Sequence, residues 1–134
     1  MDTDVFVAAL LGPAGAAREV VRRCILGTYQ PLMGVALFME YETVLGRKQL
    51  WEKCLLTVAE RRVVAESFMQ CSHWVEIYYG WRPNLKDESD NHLIELAVAG
   101  NAEAIITRNK RDFADAELKF PNLRVLSPAQ FLKE

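Results

Sequence analysis

Positive charge, cysteine and long hydrophobic runs are all scarce in this 134-residue chain, and each shortage excludes something. Sixteen Lys and Arg against eighteen Asp and Glu give a formal charge of −2. That excludes a globally basic nucleic-acid binder while leaving room for a local basic patch. The three cysteines, Cys24, Cys54 and Cys71, are odd in number and widely spaced. They form no CxxC or Cys/His pairing of the kind zinc requires, and each falls in an apolar helical pattern, as a small reduced core residue does. Reduced thiols imply a cytoplasmic protein. No apolar run reaches the roughly 18 residues of a membrane span, which predicts no membrane association. Two aspartates at the start, with no basic stretch, predict no signal peptide. What the chain does have is apolar surface: 51% of residues are hydrophobic and 25% charged. That composition excludes disorder. It predicts a single domain over residues 1–134 that folds without a disulfide or structural metal.

The pattern alternates strands and helices with no internal repeat. Residues 5–11 form an apolar run broken by Gly12-Pro13. Residues 14–26 have helical spacing, with Ala17, Val20, Val21, Cys24 and Ile25 on one face, and Gly27 ends them. Residues 30–33 read as a short strand, 34–45 as a second helix and 49–55 as a short one. Residues 57–71 read as a long helix opened by a Thr57/Glu60 capping box. Residues 73–79 have strand composition, and 80–87 read as a loop. A helix then runs from Ser89 or Asp90 to Ala99, a buried strand covers 104–107, and a polar loop or short helix covers 108–118. A last strand covers 124–126, and Ser127-Pro128-Ala129-Gln130 starts a capped terminal helix. Strands separated by helices predict an α/β fold: a three-layer α/β/α sandwich around a mainly parallel sheet. Ligands in such sheets lie beyond the carboxyl ends of the strands.

Several acids break this pattern. Asp2 and Asp4 head the first apolar run. Glu40 sits among Ala36, Leu37, Tyr41 and Val44 on the second helix, whereas Glu42 falls off that stripe. Asp90 opens the later helix, whose Leu93, Ile94 and Ala97 face the sheet, so Asp90 points inward. Each has a plain alternative: Asp90 as an N-cap, Glu40 as a buried acid paired with Arg18 or Arg22, Asp2 as a frayed end. Together they read differently. Ionised carboxylates drawn into one place repel, and a divalent cation removes that penalty. Clusters of hard oxygen donors suit Mg²⁺ or Mn²⁺, which activate water and stabilise phosphoryl charge. Thr107-Arg108-Asn109-Lys110-Arg111-Asp112-Phe113 follows a buried strand directly and adds a hydroxyl, an amide, three cations and another carboxylate.

These segments resemble a PIN domain, specifically the toxin component of VapC-type toxin–antitoxin pairs. Asp2-Thr3-Asp4-Val5 is similar to the family's D-T-N-V start, and Glu40-Tyr41-Glu42-Thr43-Val44-Leu45 to its central acidic helix. Asp87-Glu88-Ser89-Asp90 with the following helix is similar to its D-x-x-D segment. Ile105-Ile106-Thr107-Arg108-Asn109 through Asp112-Phe113 is similar to its I-x-T-x-N-x-x-D-F segment, and residues 125–132 to its common ending. The resemblance implies a Mg²⁺- or Mn²⁺-dependent endoribonuclease. Asp2, Glu40 and Asp90 take the places of the metal-holding catalytic acids, and Asp112 that of a fourth. Asp4 and Asp87 are auxiliary acids, and Thr107 and Asn109 fix the loop and support the metal. Arg108, Lys110 and Arg111 are implied to hold RNA phosphates, with single-stranded RNA favoured because its splayed backbone enters a narrow cleft. A cognate antitoxin and a homodimer are the implied protein partners.

Two departures stand out. The family carries several apolar residues before its first aspartate, whereas Asp2 here follows Met1. Either the start is trimmed or strand one is unusually short. Asp4 also replaces the usual Asn. The first departure favours, as an alternative, a PIN-like module that binds without cutting. Asp2-Thr3-Asp4-Val5 matches the D-x-D-x-[TV] opening of haloacid-dehalogenase-like phosphatases as well, but the upstream apolar strand and downstream G-D-x-x-x-D that those enzymes need are absent from the sequence. Trp51, Tyr78, Tyr79 and Trp81 are interface candidates. Trp74 reads as core.

Overall fold

A computed structural model describes residues 1–12, 15–76, 88–113, 120 and 122–134, and for residues 88–91 the helix but not the side chains. In chain order the described elements are α1 (Thr3–Leu11), α2 (Ala16–Ile25), β1 (Leu32–Met33), α3 (Val35–Leu45) and a 3₁₀ turn (Lys48–Trp51). Then follow α4 (Val58–Cys71), β2 (His73–Trp74), α5 (Glu88–Ala99), β3 (Ala104–Ile106), a second 3₁₀ turn (Lys110–Phe113), β4 (Arg124–Leu126) and α6 (Pro128–Leu132). The class is α/β, weighted towards helix.

The apolar run at residues 5–11 is helical. Periodicity cannot separate a helix that is apolar on every side from a buried strand. In α1 one face is buried (Val5, Phe6, Ala9 and Leu10), while Val7 and Ala8 are half-buried and Leu11 is exposed. The alternation expected from sequence holds elsewhere, with shorter strands. They pair in parallel as two ribbons, β1 with β2 and β3 with β4. Among the described residues, no strand joins the two ribbons into one sheet. A cavity of about 450 Å³ is lined by Leu32 of one ribbon and Ala104, Ile105 and Ile106 of the other, with Met1 beside them.

Local signals set the starts of two helices. Thr57 and Glu60 form the capping box that starts α4, and Ser127 and Gln130 form another at α6, with Pro128 in the first turn. Each cap satisfies amides that the first turn cannot pair itself. Packing then joins the elements. α2 lies against α1, α4 and α6, and α1 against α3. The centre is aromatic: Phe6 meets Tyr41 and Phe68 at centroid distances of 4.9 and 5.4 Å, and all three are buried. This cluster fixes α1, α3 and α4 to one another, and so fixes the relative positions of Asp2 and Glu40 at their margins.

Two tryptophans exchange the roles expected for them. Trp51 is core: its indole N–H donates to the Val44 carbonyl at 3.0 Å and the Arg61 guanidinium lies over its ring. Trp74 is 46% exposed on β2, with Phe38 beside it. Among the described strands β2 pairs with β1 alone, and its two residues both face solvent. Tyr78, Tyr79 and Trp81 lie outside the described residues. All three cysteines are free thiols. Among the described residues no helix is long and apolar enough to cross a membrane.

Candidate functional site

The amino-terminal residues, α3, α5 and the segment after β3 meet at one place. Asp2 occupies the N-cap position of α1, but its side chain makes no cap bond. Its backbone N–H donates to the Ile106 carbonyl at 2.9 Å, which holds it against the end of β3. Its Oδ2 accepts from the Thr107 hydroxyl at 2.8 Å. Thr107 is fully buried, and its Oγ1 also accepts from the Asn109 N–H. The hydroxyl thereby joins the first acid to the loop that follows β3.

Thr3, buried in the first turn of α1, donates to Oε1 of Glu40 at 2.6 Å. Nε2 of His92, on α5, lies 2.7 Å from Glu40 Oε2. The next residue along α3, Tyr41, donates its hydroxyl to the Met1 carbonyl at 2.8 Å. Three helices and the amino terminus are therefore tied at Glu40 and its neighbour. Arg18 donates to the Ala9 and Leu10 carbonyls and Arg22 to Glu19.

Electrostatics follow from this crowding. Burial raises the Asp2 carboxyl above its ordinary range. The Thr107 bond and the Met1 ammonium oppose that shift, and the Glu40 charge adds to it. Asp4 is pushed up to about 6, first by burial and then by the charge of Asp2. One of its oxygens accepts from the Arg108 N–H at 3.2 Å, and the other, Oδ1, is buried with no partner among the described residues. Burial also lowers the α-ammonium of Met1 and raises the Tyr41 hydroxyl well above its usual value. Desolvated acids that feel each other's charge gain from a cation.

The sequence-derived site residues thus divide. Asp2, Asp4, Glu40 and Thr107 converge, with Arg108 and Asn109 on the adjoining loop. Asp112 is exposed on the 3₁₀ turn and makes no hydrogen bond to Asp2 or Glu40. Lys110 donates to Gln130 Oε1 at 2.9 Å, while Arg108 and Arg111 are exposed. Asp90 lies in the first turn of α5, with its side chain outside the described residues, and Asp87 lies outside them altogether. Among the described residues no group of three or more His, Cys, Asp or Glu side chains is placed to share one ion. The donors that are described still suit a hard divalent cation: they are carboxylate oxygens, and one buried oxygen of Asp4 has no partner.

His92 was not singled out by the sequence pattern. It lies two positions past Asp90, off the Leu93/Ile94/Ala97 stripe. Its rarity was the available signal, since the chain has two histidines.

A family model described as PIN domain matches residues 1–111. Comparison with curated proteins and with solved structures found no match.

Proposed function

Because the chain belongs to the PIN-domain family, whose members are typically nucleases that commonly use divalent metals, we propose that it is a metal-dependent endoribonuclease and the toxin of a VapC-type toxin–antitoxin pair. The observation that carries this reading is the convergence of Asp2 and Glu40, from the amino terminus and α3, beside a loop that carries Arg108. In this reading Asp2, Glu40 and Asp90 hold the metal, with Asp112 as a fourth acid and Asp4 and Asp87 as auxiliary ones. Mg²⁺ or Mn²⁺ bound there supplies activation of water and neutralises charge at the scissile phosphate.

The protein's own groups do the rest. Thr107 fixes the plane of the Asp2 carboxylate, and Asn109 fixes the loop through the same hydroxyl. Arg108, Arg111 and Lys110 hold the phosphates flanking the bond to be cut. The partial burial that raises Asp2 and Asp4 also lowers the screening of their charges, which strengthens their interaction with a cation. We further read residues 1–134 as one domain with helices on both faces of the strands. We read the protein as a cytoplasmic homodimer held inactive by its antitoxin.

The test is cleavage of single-stranded and duplex RNA by the purified protein with Mg²⁺, Mn²⁺ or EDTA, with Asp90→Asn as control. The reading expects metal-dependent cutting of the single strand, lost in the variant. Cutting that persists in Asp90→Asn removes Asp90 from the site. Metal binding without any cutting replaces the nuclease with a PIN-like binding module.

A further inference from the structure

Glu40 is gripped on both carboxylate oxygens, and the grips come from two other helices. Thr3 Oγ1, on α1, holds Oε1 at 2.6 Å, and His92 Nε2, on α5, meets Oε2 at 2.7 Å. The terminal torsion of a glutamate is otherwise broad and roughly two-fold. Opposed contacts from separate elements remove that freedom. The other ring nitrogen of His92, Nδ1, is buried without a partner among the described residues. A hydrogen on Nδ1 would be a buried donor with no acceptor among the described residues. A hydrogen on Nε2 has Glu40 as its acceptor. The geometry therefore assigns the Nε2–H tautomer and makes His92 the donor.

We propose that His92 is a positioning residue: with Thr3 it locks the Glu40 carboxylate in one orientation beside Asp2. This rests on the reading of Glu40 as a metal ligand. In this role His92 acts through Glu40. Its contribution is to remove the reorganisation that a freely turning carboxylate would undergo each time an ion binds. A donor behind a ligand typically matters by 10–100-fold in metal affinity or activity.

Two measurements test it. In metal-free protein, the two-bond ¹H–¹⁵N spectrum of the His92 ring should show hydrogen fixed on Nε2, and Glu40→Ala should convert it to an averaged pattern. An averaged pattern in the unmodified protein, or an unchanged one in Glu40→Ala, overturns the clamp. The second measurement is Mn²⁺ affinity by electron paramagnetic resonance, with thermal midpoints in EDTA to confirm folding. His92→Leu should weaken binding about tenfold or more. His92→Gln, whose amide nitrogen donates from a similar place, should recover it to within about threefold. Equal affinity for His92→Leu and the unmodified protein, or equal impairment of Leu and Gln, overturns the proposal. If the unmodified protein binds no Mn²⁺, the metal reading of Glu40 fails, and the ring spectrum still decides the clamp.

Discussion

Thr107 donates its hydroxyl to the carboxylate of Asp2 at 2.8 Å, across 105 residues of sequence. The same oxygen accepts from the Asn109 N–H, so one fully buried atom serves an acid and a loop. Thr107→Val keeps the shape and removes both bonds. It should destabilise the protein by about 1–3 kcal/mol, the usual penalty for stranding buried polar groups. Cleavage should fall with it, and Thr107→Ser should restore most of both. Urea unfolding of the three proteins measures the first effect. Equal midpoints for Val and Thr would remove the bond from the account.

Asp4 predicts a dependence on pH. Its carboxyl sits at about 6 in the folded chain against an ordinary 3.8, so the folded state holds this proton more tightly than the unfolded state. Stability is therefore lost as pH rises from about 4 to about 6, and it stays lost above that. Asp4→Asn keeps an acceptor for the Arg108 amide and carries no charge. In EDTA it should stabilise the protein by about 1 kcal/mol at pH 7.5, allowing for the exposed part of the side chain. The gain should shrink as pH falls towards 4. A variant less stable than the parent at pH 7.5 contradicts the assignment.

Much of this could be read from the chain because the signals were local. The Thr57/Glu60 and Ser127/Gln130 boxes depend on residues three apart, and both form. Glu40 stood out because a carboxylate interrupted an apolar stripe. What escaped the sequence depended on distant partners. Residues 5–11 of α1 are apolar on the half-buried and exposed side as well as the buried one, which erases the periodicity that would mark the helix. Trp51 is core because its N–H reaches the Val44 carbonyl at the end of α3, which it shares with the Arg47 N–H. Trp74 is exposed because β2 has a neighbour on one side, β1, among the described strands. His92 finds Glu40 across 52 residues, a meeting no spacing rule encodes.

The loop cations should differ in their contribution to RNA binding. Arg108 and Arg111 are exposed, whereas Lys110 is engaged with Gln130. Arg108→Ala and Arg111→Ala should each reduce the slope of log affinity against log salt by about 0.7 for single-stranded RNA, as loss of one phosphate contact does. Lys110→Ala should reduce it less. Fluorescence anisotropy across a salt series reads the slopes directly. Unchanged slopes for both arginine variants would place the RNA elsewhere.

The account depends on Asp2 and Glu40 sharing one divalent ion. A crystal grown with Mn²⁺ and measured at a wavelength where manganese scatters anomalously tests that directly. The account predicts an anomalous peak within about 2.5 Å of a carboxylate oxygen of each residue. No peak there, or a peak bound to other groups while Asp2 and Glu40 keep only their protein partners, would contradict it.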